Sequence, residues 1–209
     1  MTVMTFDELN QLVPKQNIPM EQYFGEMGLT NEQERKRLDL AERLEEEFID
    51  ILAWVFYTAQ NRAVSESVVE ERFREALINS TDEEVMNLSR TEEIIDTVAK
   101  EVAKTTVDRR NTPFFLSEER AYLLAEDNAN TLFNYYDFEQ ALSQNKSMKQ
   151  WLTILDGRER QTHNLADGMI AVVEQPFEVG DSLLMFPKDT SLGASPEEII
   201  GCRCSVRYF

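Results

Sequence analysis

His163, Cys202 and Cys204 are the residues with the most chemical potential, because His163 is the only histidine and the two cysteines are the only thiols in the 209-residue chain. One imidazole and two thiolates make a donor set suited to zinc, with water or a carboxylate from Asp156 or Asp167 as a fourth ligand. The spacing Cys-x-Cys differs from the common Cys-x-x-Cys knuckle. Such a pair is also a poor structural disulfide, since the ring is strained and closes almost no loop. A second reading is catalytic, with cysteine as nucleophile, histidine as base and aspartate as orienter. A third is structural: a core histidine hydrogen-bonded to Asp156 beside two small buried thiols. Sequence leaves the three open. No Gly-rich phosphate loop, Gly-x-Ser-x-Gly elbow or His-Glu-x-x-His motif strengthens catalysis. Asp156, Arg158 and Arg160 lie just before His163 and read as a salt-bridge lattice that locks a turn.

The elements that must position these residues divide the chain by texture. Residues 1–29, punctuated by Pro14, Pro19, Gly25 and Gly28, read as a lead-in with little fixed structure. Thr30-x-x-Gln33 is a capping-box pattern, and it precedes an apolar helix face: Leu38, Ala41, Leu44, Phe48, Ile51, Leu52, Val55 and Ala59. A second helix is expected over Glu66 to Ile78 with Val69, Phe73, Ala76 and Leu77 inward. Thr81-x-x-Glu84 and Thr91-x-x-Ile94 are start signals. A third helix carries Ile94, Ile95, Val98, Val102 and Val107, and Pro113 breaks it. Ser117 caps a fourth, whose face holds Tyr122, Leu124, Ala125, Ala129 and Leu132. Its aromatics Phe133, Tyr135, Tyr136 and Phe138 read as core or contact surface.

The texture changes at Asn145–Lys149. Strand-like runs follow at Met169–Val173, Ser182–Phe186 and Arg203–Phe209, separated by glycines and prolines. Ser195-Pro196-Glu197-Glu198 reads as a short helix start. The expected fold class is α+β: a mostly helical part over residues 1–145, then a small module over residues 146–209 with short antiparallel strands.

The net charge of −18 is uneven. Seven basic against nine acidic residues from Lys146 onward leave −2 there and −16 in residues 1–145. The acidic part repels phosphate, which argues against strong nucleic-acid binding. It reads as solvated helix faces, with a DNA-mimicking surface as the sharper alternative. No window reaches the ~20 apolar residues of a bilayer span. The start of the chain lacks the basic and apolar regions of a signal peptide. A protein made in a cytoplasm, with no membrane partner, is expected.

Taken together, Trp151, Asp156, Arg158, Arg160, His163, Asp167, Gly168, Pro176, Phe177, Gly180, Pro187, Gly193, Ala194, Cys202, Arg203 and Cys204 follow one order and spacing over about sixty residues. That pattern resembles the Mu F-like head morphogenesis family of tailed bacteriophages, also called minor head or minor capsid proteins. The sequence departs from the family pattern at Glu159 (usually Thr), at Gly201 (commonly Asn) and at Ala125-Glu126-Asp127-Asn128 (usually Ala-Arg-Thr-Glu). The resemblance implies a virion protein of the head interior or portal vertex, made in the bacterial host cytoplasm. Its partners would be the portal protein and capsid, with genomic DNA bound weakly if at all, and its work head assembly, DNA packaging or ejection without catalysis. Trp151, Asp156, Arg158, Arg160, Asp167, Gly168, Pro176, Phe177 and Arg203 would organise the module. Two rivals are an acidic DNA-mimic that captures a basic host protein, and a zinc- or Cys/His-dependent hydrolase.

Overall fold

The computed structural model describes residues 4–209. The chain folds into two compact units, residues 4–18 with Asp39–Asn128, and Pro19–Leu38 with Ala129–Phe209. These units cut across the boundary at residue 146, because two long helices, α3 (Asn31–Ala59) and α7 (Glu118–Ser143), each give residues to both. The class is α+β, with helices leading and short antiparallel strands at the C-terminal end. Among the described residues no helix is long and apolar enough to cross a membrane.

The first unit is helical. α1 (Phe6–Gln11) opens with a full capping box, Thr5 and Glu8 each accepting the other's backbone N–H. The larger part of α3 buries Leu40, Ala41, Leu44, Phe48, Ile51, Leu52, Val55 and Phe56. α4 (Glu66–Ser80) buries Val69, Phe73, Ala76 and Leu77, as its periodicity predicts. The short α5 (Glu83–Met86) leads to α6 (Thr91–Asp108), which packs along α4. The buried face of α6 runs through Ile94, Ile95, Ala99, Ala103 and Thr106. Val98, Val102 and Val107, expected on that face, are only half-buried, one position round the helix from the buried residues. Small side chains on the inner face suit a closely packed helix pair, and hydropathy alone favours the valines.

Pro113 starts a 3-10 turn, Pro113–Leu116, and Ser117 Oγ then accepts the Arg120 N–H at 3.3 Å to cap α7. The other two start signals act differently. Thr81 ends α4, bonding back to the Leu77 carbonyl, and Thr91 lies inside α6 with its hydroxyl on the Val85 carbonyl.

The expected unstructured lead-in is corrected by α1 and α2 (Met20–Gly25), except for residues 1–3, which lie outside the described part. Phe6, Leu9, Met20, Tyr23, Phe24 and Met27 are buried anchors. One or two turns are too short to show a helical period.

In the second unit the Thr30–Gln33 capping box forms, with Thr30 N–H on Gln33 Oε1 at 3.0 Å and Gln33 N–H on Thr30 Oγ1 at 3.3 Å. The sheet has the order β2–β1–β5, all antiparallel: β1 (Met148–Leu152), β2 (Ile170–Val172) and β5 (Ser205–Tyr208). A hairpin, β3 (Phe177–Val179) and β4 (Ser182–Leu184), forms a separate two-stranded sheet. Trp151, Ala166, Phe177, Val179, Leu184, Val206 and both cysteines form the core here. The aromatics Phe133, Tyr135, Tyr136 and Phe138 of α7 are buried.

Candidate functional site

Three short elements carry His163, Cys202 and Cys204. α8 (Gln161–Ala166) holds His163, and α9 (Pro196–Ile199), with Pro196 at its first position as expected, leads into Cys202. Cys204 immediately precedes β5. The central strand β1 supplies the floor: Trp151 is fully buried, its ring edge-on to His163 at 5.9 Å and to Phe177 at 5.3 Å. Its indole N–H donates to Thr153 Oγ1, whose own hydroxyl donates to the His163 carbonyl at 2.9 Å.

The three residues converge. Cys204 Sγ lies 3.4 Å and Cys202 Sγ 3.6 Å from His163 Nδ1, and all three side chains are buried. The other ring nitrogen, Nε2, lies 3.0 Å from Glu198 Oε2. Burial pushes the imidazole pKa down, but the hydrogen bond with Cys202 and the Glu198 carboxylate outweigh it, so the net shift is upward. Burial pushes the Cys202 thiol well up. The bond with Cys202 brings the Cys204 thiol down.

The cysteine segment is clamped from two sides. Asn130 and Asn134, one turn apart on α7, donate to the Cys204 carbonyl at 3.3 and 3.2 Å, and Asn130 also approaches the Cys202 carbonyl at 3.5 Å. From the other side Arg203 grips both oxygens of Asp156, at 2.8 and 2.7 Å. Arg158 completes the pair through Nε at 2.8 Å and Nη2 at 2.5 Å. The Arg203 and Arg158 bonds hold the Asp156 carboxyl far below the usual range.

This arrangement refines several expectations. The lattice around Asp156 forms with Arg158 and Arg203, whereas Arg160 donates to the Ile200 carbonyl. The histidine's carboxylate partner is Glu198, not Asp156. Asp167 is engaged elsewhere: its Oδ1 accepts the Thr153 N–H at 2.8 Å, and the Gly168 N–H closes on the Trp151 carbonyl at 2.9 Å. Pro176 leads into β3, whose first residue, Phe177, is core. Glu198, Asn130 and Asn134 do not stand out in the sequence as site residues. The one signal for the asparagines is their i, i+4 spacing on an apolar helix. Beside the cluster a cavity of about 170 Å³ is lined by His163, Cys204, Arg158, Glu159, Arg160 and Arg203, among others.

The chain matches the family described as Phage Mu protein F like protein over residues 79–207. It belongs to that family. The match takes in every residue of the C-terminal pattern and extends back through α6 and α7, further than the pattern itself. A Mu F-like protein is a phage head-related protein, which makes the virion its expected setting. No curated protein and no solved structure gives a significant match to the chain.

Proposed function

We propose that this Mu F-like chain is a minor head protein, held at the head interior or portal vertex, that binds the portal or inner capsid and assists head assembly, DNA packaging or DNA ejection. The family match over residues 79–207 is the observation that carries this reading. The role is one of binding, without catalysis. In support, both thiols are buried, whereas a nucleophilic cysteine needs an accessible thiolate.

The docking surface is better sought on the second unit than on the long helices. The apolar stripe of α3 is used up within its own core. Among the described residues, nine large apolar side chains of the second unit stay exposed, from Leu155 to Phe209, against five in the first unit. Ile170 and Val172 stand on one face of β2, an edge strand of the sheet. Exposed apolar edge strands pair readily with another chain. The acidic surface leaves genomic DNA at most a weak partner.

The test is co-purification with portal rings assembled in the same cells. Apolar contact predicts that the complex survives about 1 M salt, where screening acts within ~3 Å, and that Ile170→Asp with Val172→Asp releases it. A complex that dissolves steeply with salt and forms with basic host proteins instead would favour the acidic-mimic reading.

A further inference from the structure

We propose that His163 Nδ1 and the Sγ atoms of Cys202 and Cys204 bind one zinc ion, that Glu198 is the positioning residue for the imidazole, and that the fourth coordination position is filled by solvent from the adjoining cavity. The inference does not depend on where in the virion the chain works.

Convergence is the first argument. Two sulfurs lie 3.4 and 3.6 Å from the same ring nitrogen. One imidazole nitrogen offers either one N–H or one lone pair, so it satisfies one thiol, not two, and the other polar neighbour of Cys204 Sγ is the Thr153 hydroxyl at 3.5 Å. A metal held between them satisfies all three donors. The spacing fits: Zn–S of ~2.3 Å and Zn–N of ~2.1 Å at a tetrahedral angle separate sulfur and nitrogen by about 3.6 Å. The three ligand atoms all lie within 4.8 Å of one another.

The second argument is the partner of the other nitrogen. Glu198 Oε2 lies 3.0 Å from Nε2 and also accepts the Thr162 hydroxyl at 2.8 Å. A carboxylate on Nε2 holds the ring proton there and leaves the Nδ1 lone pair aimed at the sulfurs. This is the usual outer-shell arrangement for a metal-binding histidine. Two thiolates with an imidazole favour zinc over the hard cations magnesium and calcium.

The fourth position follows from what is engaged elsewhere. Asp156 is held by two arginines and Asp167 by the Thr153 N–H, and the cavity borders His163 and Cys204. A water or small anion from the cavity completes the tetrahedron. Zinc takes the sulfurs as thiolates, so protons compete with the metal and affinity falls as pH is lowered.

The experiment uses the full chain purified under reducing conditions. Elemental mass spectrometry is expected to find one zinc per chain. Titration of the metal-free chain with cobalt(II) is expected to give a sulfur-to-cobalt charge-transfer band in the near ultraviolet. Azide is then expected to shift the visible cobalt bands, as it enters an exchangeable position. Glu198→Ala is expected to weaken binding about 10- to 100-fold with the circular dichroism spectrum unchanged, and Glu198→Gln to restore most of the loss. Zinc no higher than in a Cys202→Ser, Cys204→Ser double variant, together with no charge-transfer band in the unmutated chain, would overturn the site. A band that azide leaves unmoved would overturn the open fourth position, and unaltered affinity in Glu198→Ala would overturn the positioning role. None of these readouts bears on head assembly, so the two readings fail separately.

Discussion

The Glu198 carboxylate is seated against the bare α-carbon of Gly180: a β-carbon at that position would stand 2.6 Å from Glu198 Oε1 and 3.0 Å from Thr162 Cγ2. Gly180 turns the β3–β4 hairpin at φ +57, a left-handed conformation that costs other residues ~1–2 kcal/mol. One glycine therefore makes the hairpin turn and leaves room for the carboxylate that orients His163. Gly180→Ala is expected to lower stability by about 1–3 kcal/mol, read by urea unfolding. It should also perturb the His163 ring resonances, which a turn defect without the Glu198 contact would leave in place.

The clamp on Arg203 is exposed enough to be weak and geometrically good enough to matter. Asp156→Asn is expected to cost about 1 kcal/mol near neutral pH, measured by urea unfolding. The sign of its pH dependence is fixed by the depressed folded-state value of Asp156. The stabilisation is fully present above the unfolded value of ~4 and is lost as pH falls toward the folded one. The gap between the two proteins should therefore shrink on going below about pH 4.

Lys149 titrates at the other end of the pH range. It is fully buried on β1, donates to the Met185 carbonyl at 2.6 Å and lies over the Phe177 ring at 4.7 Å. Burial lowers its pKa to about 8, with Asp189 pulling the other way. Between that value and the ordinary ~10.4 the unfolded chain holds a proton that the folded chain has lost, so stability rises with pH. Relative to a Lys149→Met variant, the unmutated chain should gain stability from about pH 8 to 10, followed by thermal unfolding across that range.

Arg37 is completely buried on α3, bonded to Asp137 at 2.7 Å and to Asn130 and Asn134 at 3.3 Å. The same asparagines hold the cysteine carbonyls. Arg37→Met leaves Asp137 uncompensated and is expected to cost about 3–5 kcal/mol in urea unfolding. Its loosening should reach the Cys-x-Cys segment as faster amide exchange at Cys204.

Much of this is legible in the sequence wherever a feature is local. The Thr30–Gln33 box, the inward face of α4 and the Ser195-Pro196 helix start are all patterns of residue type and short spacing, whereas His163, Cys202 and Cys204 stand out by residue type and are joined across 39 positions by the fold. The misses share a different cause. The inner face of α6 depends on how near α4 comes, which favours Ala99 and Ala103 over valines. Asp156 is partnered by Arg203, 47 positions away, rather than by Arg160. Glu198 meets His163 across 35 positions, and only the fold brings them together. The strands β1 and β3 escape a sequence reading, β1 because its polar Lys149 and Gln150 break the apolar alternation and β3 because it sits between Pro176 and Gly180, which read as a separator between strands.

The head-protein reading is tested most directly by quantitative mass spectrometry of purified virions, taken before and after triggered DNA release. The account predicts a few copies of the chain in every particle, with loss on release marking a part in ejection and retention marking a part in the head. Particles that contain none, from cells in which the protein is abundant, would contradict it.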